Sequence, residues 1–448
     1  MTRRYTGIPD GIGADTPRDA APARCFPVPR GFLWGAATAS HQVEGDNRWN
    51  DWWAFEQAGR LPHRSGDACR EYELYEQDFD RARDAGQNAH RFSIEWSRVE
   101  PREGEWNEEA IRHYRDVLSA LRARGLEPVV TLQHFTLPAW VLQKGGWTNR
   151  RAVRWFARYA GHVAAELGAG VRYWLTINEP TVYVKHAFVV GDWPPCTRHA
   201  WRHAMVAFVN LARAHRAART RVRAHCPEAM VGFAHSAPVI QPCNPASVAD
   251  RAAAWVRDAV LNQAFFTLLG AGFPGTPTPF DFIGLNYYTR TVVRGTRSGL
   301  IPFAGSECLA DHHADRGPRS DTGWEIYPPG LLQSLHRFST YGVPLMVTEN
   351  GVATTDEELR SAFLSSHLAQ LGAALEQGID VRGYFYWSLI DNFEWALGTS
   401  ARFGLYGVDF STQQRCARPA LDRFRAVCHS GRLAVARGAR LTAFIRGS

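Results

Sequence analysis

Lysine is almost missing from this chain: Lys144 and Lys185 stand against 49 arginines, and 51 basic residues over 44 acidic ones leave a net charge of +7. The arginines are scattered among Ala-rich stretches instead of forming a polybasic block, so the charge reads as compositional bias and not as a footprint for nucleic acid or an anionic surface. Clusters such as Arg151, Arg154 and Arg158 have the spacing of one solvated helix face.

C-x-x-C pairs are absent too. Cys25, Cys69, Cys196, Cys226, Cys243, Cys308, Cys416 and Cys428 lie far apart, which excludes a disulfide-stapled fold and predicts reduced, mostly buried thiols. The first thirty residues lack the apolar core of roughly 7 to 15 residues that a signal peptide needs. No stretch approaches the roughly 20 uncharged apolar residues that span a bilayer. A cytoplasmic protein with no membrane and no nucleic-acid partner is expected. No Gly-rich phosphate or dinucleotide loop occurs. His199 and His203 stand four apart, followed by His215, but the glutamate of the zinc-protease signature is missing and a surface helix is the better reading; His312-His313 is a weaker pair still. No metal and no cofactor are expected.

What the chain does have is core-forming material, with 448 residues, 45% of them hydrophobic, 12% aromatic, and 16 tryptophans. That is enough to bury a large globular core. A prior of about 150 residues per domain suggests three domains, but α/β barrels run longer as one unit.

From about Phe32 onward, short apolar runs alternate with segments of helical period, joined at Gly or Pro. Between Asn107 and Gly125, Ile111, Tyr114, Val117, Leu118 and Leu121 recur at helical spacing, and 128–132 then reads as a buried parallel strand. Together with 32–36, 89–94, 171–178, 230–235, 280–286, 343–349 and 381–388, this gives eight strands separated by helical stretches. Eight closes a parallel barrel, so the expectation is an α/β fold, a single (β/α)8 TIM barrel over 25–430. Residues 1–24 are expected to be a disordered extension, and 431–448 an Arg-rich, poorly ordered tail.

In such a barrel the active face is formed by the strand C-termini. Polar and aromatic residues gather there: His90-Arg91 in the second strand, His134 after the third, Asn178-Glu179 at the fourth, Asn286-Tyr287-Tyr288 at the sixth, Glu349-Asn350 at the seventh and Trp387 at the eighth. Any one of these is a weak signal. Their convergence on one rim is not.

With these residues in view, the sequence resembles glycoside hydrolase family 1, the β-glucosidase family, from about Phe32 to Cys428. The likeness is carried by 32–40 (FLWGAATAS) with Gln42 and Glu44-Gly45, by Arg91-Phe92-Ser93-Ile94 with Trp96 and Arg98, and by Thr176-Ile177-Asn178-Glu179-Pro180. Gly284-Leu285-Asn286-Tyr287-Tyr288, Thr348-Glu349-Asn350-Gly351, 386–389 (YWSL) and Asp391-Asn392-Phe393-Glu394-Trp395 follow in the family's order.

The resemblance implies a retaining β-glycosidase with Glu349 as nucleophile and Glu179 as general acid/base. Such chemistry needs one carboxylic acid to protonate the leaving oxygen and one carboxylate to attack the anomeric carbon, about 5 to 5.5 Å apart. It also implies that Arg91 and Tyr288 support the nucleophile. Asn178, Gln42, His134, Glu394 and Trp395 would bind sugar hydroxyls, Trp387 would form a stacking floor, and Trp324 would line the leaving-group side. Taken outside their motifs, His134 reads equally well as a satisfied strand-end histidine, and Trp395 as a rim aromatic. Trp34, Trp96 and Phe92 read as core.

Glu394-Trp395 matches members acting on unphosphorylated sugars, and 398–402 (GTSAR) supplies no lysine for a phosphate, with Arg402 the one cation there. Glu179 stands where the thioglucosidase branch carries glutamine, so O-glycosides are expected. Gln133, Thr181 and Arg70 depart from common family residues and leave the aglycone open. The expected substrate is a small-molecule or oligosaccharide β-glycoside with a terminal glucose, tolerating galactose or fucose. A β-galactosidase and a transglycosidase are the near rivals; a silent sugar-binding barrel would be expected to have lost a carboxylate or its support, and an arginine-driven anion binder would show steep salt dependence. Oligomeric state is not legible.

Overall fold

Eight parallel strands close into a barrel: β1 (Leu33–Ala37), β2 (Ala89–Ser93), β3 (Glu127–Thr131), β4 (Tyr173–Asn178), β5 (Met230–Ser236), β6 (Ile283–Asn286), β7 (Leu345–Asn350) and β8 (Val381–Trp387). Each neighbours its successor, and β8 returns to β1 with Tyr384 opposite Trp34. A computed structural model describes residues 25–272, 278–296, 304–309, 312–313 and 316–435. All eight expected strands are present, within a few residues of their expected bounds.

The strands are nearly continuous apolar runs because helices cover their outer faces. These include α1 (Glu71–Asp84), α2 (Glu108–Ala123), α3 (Ala152–Leu167), α4 (Trp201–His225), α5 (Val248–Asp258), α6 (Pro329–Ser339), α7 (Glu357–Glu376) and α8 (Ala420–Ser430). Helix α2 buries the five apolar residues that its sequence periodicity picks out. Its start is fixed by Asn107, whose side chain accepts from the Glu109 and Ala110 N–H groups, with Glu108 and Glu109 favourably placed in the first turn. Asp356 caps α7 in the same way through Glu358 and Leu359.

Two features depart from expectation. Arg432–Ala434 forms a strand antiparallel to Cys25–Pro27, so the tail expected to begin at 431 is ordered at its start. Leu433 is buried, and Gly372 of α7 makes the approach possible, since a Cβ there would lie 2.5 Å from the Ala434 carbonyl oxygen. The extension expected over 1–24 and the tail beyond 435 lie outside the described residues. Of the eight cysteines only Cys69, Cys243 and Cys308 are buried, while Cys25 and Cys416 are exposed. Among the described residues no helix is long and apolar enough to cross a membrane.

Beyond the C-terminal ends of β5 and β6 the chain builds a small three-stranded sheet from Val239–Pro242, Arg290–Arg294 and Ser306–Glu307. It leads into the segment carrying Trp324. At the neighbouring rim, Gly351 follows β7 where a Cβ would fall 1.8 Å from the Trp387 carbonyl oxygen. Only glycine lets the ends of β7 and β8 come this close.

Candidate active site

Arg91, on β2, lies at the centre of the rim and is fully buried. A guanidinium in that position needs acceptors for its donors and a counter-charge. It has both. Nη1 donates to Glu349 Oε1 at 2.6 Å and to the Thr348 carbonyl at 3.0 Å, Nη2 donates to Asn178 Oδ1 at 2.7 Å, and Nε donates to Thr131 Oγ1 at 3.2 Å. One rigid fork thereby ties β2, β3, β4 and β7 together.

The other oxygen of Glu349, Oε2, accepts from the Tyr288 hydroxyl at 2.5 Å. The Glu349 carboxylate is therefore gripped on both oxygens by donors from two other strand ends. Tyr288 is held in its protonated, donating form because burial, and then the Glu349 charge, push its hydroxyl well above the ordinary range.

Glu179 ends β4 in a left-handed turn with φ of 43°, after which Pro180 opens a short helix. A left-handed glutamate is a strained backbone state, kept here by the Glu179 N–H donating to the Ala234 carbonyl at 2.9 Å. Its Oε1 accepts from Asn286 Nδ2 at 2.9 Å. Asn286 also donates to Asn178 Oδ1 at 3.2 Å and accepts from Thr348 Oγ1 at 2.6 Å, so its amide orientation is fixed. Burial first, and then the charge of Glu349, raise the Glu179 carboxyl from its ordinary 4.5 to about 8. Two carboxyl groups thus share one cleft, one ion-paired and one held neutral near pH 7, linked through Arg91, Asn178 and Asn286. That division of labour is what an acid and a nucleophile require.

Around them lie groups able to hold a polyol. Asn178 Oδ1 is occupied by Arg91 and Asn286, so its Nδ2 must be the donor to His134 Nε2 at 3.2 Å. Burial, reinforced by Arg91, keeps His134 far below its usual range and hence neutral. With Nε2 accepting, the ring proton sits on Nδ1, a buried atom without a partner among the described residues. Gln42 Nε2 donates to Asn392 Oδ1 at 3.0 Å and Glu394 Oε2 at 3.1 Å, leaving its Oε1 buried and without a partner as well. Burial and then Glu349 raise Glu394 to about 8, which gives it a proton to donate. His134 stacks on Trp387 at 5.9 Å and on Trp395 at 6.2 Å between ring centroids. Trp324 is 41% exposed and lies 5.3 Å from the Tyr288 ring, at the cleft's outer side.

Every residue named for the site from sequence stands at this end of the barrel. The sequence places Asn286 on the rim without a role and does not single out Thr131, although each bonds directly to one of the charged groups. Nothing in the sequence links Asn286 to Glu179 in particular, and Thr131 looks like any β-branched strand residue. Arg402 is engaged with Asp391 Oδ2 at 3.3 Å and the Val408 carbonyl at 3.1 Å. His199 precedes α4 in a left-handed turn and so shares no helix face with His203. His215 is satisfied in the core by Thr176 Oγ1 and the Pro279 carbonyl.

The family model described as "Glycosyl hydrolase family 1" matches residues 25–274 and 276–431. A protein named beta-galactosidase from Pyrococcus woesei is 33% identical, over 87% of this chain and 94% of its own length. Beta-glucosidase A from Thermotoga maritima is 31% identical, over 87% and 95% respectively. The solved structure of a beta-glycosidase from Pyrococcus horikoshii superposes with a TM-score of 0.84 at 40% identity, covering 91% of this chain and 96% of that one.

Proposed function

The chain belongs to glycosyl hydrolase family 1 and is a retaining β-glycosidase, and from that premise we propose that it removes terminal β-linked glucose from O-glycosides with Glu349 as nucleophile and Glu179 as general acid/base. The observation that carries the assignment of roles is the asymmetry of the two carboxyls. Glu349 faces a guanidinium, and Glu179 is raised to about 8.

In the first half-reaction Glu349 attacks the anomeric carbon while the Glu179 proton passes to the leaving oxygen, giving a covalent glycosyl-enzyme. Arg91 and Tyr288 hold the attacking carboxylate in place. Once Glu349 is an ester its charge is gone, and with it the second cause of the raised Glu179 pKa. Glu179, deprotonated by its first task and no longer facing that charge, then takes a proton from the incoming water, which attacks the same carbon, displaces the Glu349 carboxylate by breaking the ester C–O bond and restores the β configuration. The unpartnered Gln42 Oε1, the His134 Nδ1–H and the Glu394 carboxyl offer an acceptor and donors to sugar hydroxyls, with Asn178 held beside them. Trp387 and Trp395 supply aromatic faces for the C–H side of a pyranose. Trp324 serves the aglycone.

The same pocket accommodates a β-galactosidase reading, favoured by the name of the Pyrococcus woesei relative. A cytoplasmic location belongs to the proposal and is supported by eight cysteines without a disulfide among them. The test is to follow nitrophenyl β-glucoside, β-galactoside and β-fucoside side by side, with proton NMR on the first-formed sugar and a methanol acceptor present. We expect β-glucose as first product and the glucoside as the fastest substrate. Turnover of the galactoside alone would transfer the reading to a β-galactosidase, methyl glucoside as the main product would make it a transglycosidase, and α-glucose as first product would overturn the mechanism.

A further inference from the structure

The three-stranded sheet above the barrel brings together four side chains that the glycosidase reading does not use. Cys243 follows the strand Val239–Pro242, and its N–H donates to the Val293 carbonyl at 2.7 Å. Cys308 follows the strand Ser306–Glu307, and its N–H donates to the Val292 carbonyl at 2.8 Å. The two cysteines thus flank the central strand Arg290–Arg294, and their side chains meet around Val292 in a small buried cluster of their own. From Cys308 the chain runs only four residues to His312 and His313, whose rings return over the sulfurs.

The distances among the four ligand atoms are those of a coordination polyhedron. The two Sγ atoms are 3.3 Å apart, Cys243 Sγ lies 3.3 Å from His312 Nε2 and 3.5 Å from His313 Nε2, and Cys308 Sγ lies 4.0 Å and 3.8 Å from the same two atoms. All four atoms lie within 4.8 Å of one another. A tetrahedron with Zn–S of about 2.3 Å and Zn–N of about 2.0 to 2.1 Å has edges of roughly 3.3 to 3.8 Å. Every sulfur edge agrees with that to within about half an ångström. The sulfurs are buried, His313 is half-buried and His312 is exposed, so the histidines close the site from the solvent side.

We propose that Cys243, Cys308, His312 and His313 form a structural Cys2His2 site for zinc or a closely similar divalent ion. The softness of two sulfurs beside two imidazoles selects zinc over calcium or magnesium, and four protein ligands leave no open position for substrate. The role is therefore structural. Zinc binding releases the thiol protons and fixes His312 and His313 onto the sheet.

Cys308 is also tied to the cleft wall. Arg316 donates to the Cys308 carbonyl and to the Glu325 carboxylate. Glu325 also accepts from Arg290 Nη2 at 2.7 Å and from the Gly317 N–H at 3.0 Å, and it directly follows Trp324, whose ring lies 5.3 Å from that of Tyr288. The ion would hold in register the segment that presents Trp324 to the aglycone. The site itself stands independently of the sugar specificity.

The test uses the full chain, purified under nitrogen, stripped with a chelator in the presence of reductant, and reconstituted with zinc alone. We expect about one zinc per chain to survive gel filtration. Cobalt(II) should give the intense visible bands and sulfur-to-cobalt charge transfer of a tetrahedral thiolate site. The His312→Ala/His313→Ala double variant alters only the solvent side and should keep the parent circular dichroism while losing the retained metal and the cobalt spectrum. Chelation should lower the melting temperature of the parent and leave that of the variant unchanged. Equal zinc retention by parent and variant, no retention by the parent, or a Cys243–Cys308 disulfide in peptides from the anaerobic protein would each overturn the proposal.

Discussion

Arg91 and Glu349 meet across the barrel rim at 2.6 Å, Nη1 to Oε1, with the guanidinium wholly shielded from water and the carboxylate almost so. A buried pair of this kind is weak as a source of net stability, but costly to break on one side. The Arg91→Met variant leaves Glu349 buried with Tyr288 as its one side-chain donor among the described residues. We expect a loss of about 3 to 5 kcal/mol in urea unfolding, by the usual cost of an orphaned buried charge. In whatever fraction folds, kcat should fall by at least about 100-fold, the cost typical of removing one preorganised donor at a reacting oxyanion.

The raised Glu179 pKa predicts a pH profile. The acid must be protonated to act, so kcat/KM should fall as pH rises through about 8, and the Glu179→Gln variant should lack that limb with an activated leaving group. Stability carries the same sign. Between its ordinary 4.5 and about 8 the folded protein binds this proton more tightly than the unfolded chain, so stability is lost as pH rises across that window. Glu394, raised to about 8 by the same burial, adds to the slope. Urea midpoints measured from pH 5 to 9 should therefore fall less steeply for Glu179→Gln than for the parent.

Asn286 donates to Glu179 and so favours its ionised form. Replacing Asn286 by Ala should move the basic limb of kcat/KM to higher pH. It also strands the Thr348 hydroxyl, at a cost of about 1 to 3 kcal/mol. A limb that moves to lower pH would contradict the hydrogen-bond direction.

Much of the fold is legible in the sequence, because the barrel repeats one local pattern. An apolar run followed by a helical period marks a βα unit without knowledge of its partners, and eight of them dictate closure. The site is legible for the same reason, since Asn178-Glu179 and Glu349-Asn350 sit at strand ends that the barrel brings onto one rim. What escapes is contact between distant segments. The pairing of Cys25–Pro27 with Arg432–Ala434 joins two segments some four hundred residues apart in the chain through strands of three residues, too short to show a period. Cys243 and Cys308 are 65 residues apart, so no spacing rule connects them, and His312-His313 read as an isolated pair. The Asn286 bond to Glu179 is likewise a product of closure, fixed when β6 takes its place beside β5 and β7.

Gly351→Ala tests how tightly the rim is closed. The added methyl would meet the Trp387 carbonyl, and no flexible side chain is there to yield. We expect destabilisation of about 1 to 3 kcal/mol or more, the range for overpacking, with a loss of kcat larger than the loss of fold because Glu349 and Trp387 move apart. Thermal melting and single-turnover rates separate the two effects.

Covalent capture of the sugar by Glu349 is the step on which the mechanism depends. It is tested most directly by incubating the protein with a 2-deoxy-2-fluoro-β-glucoside bearing a good leaving group, which slows breakdown of the intermediate, and mapping the labelled peptide by mass spectrometry. One fluoroglucosyl group per chain is expected, on Glu349, with no labelling of Glu349→Gln. A label on any other residue, or a Glu349→Gln variant that still turns over the parent glucoside at the wild-type rate, would contradict it.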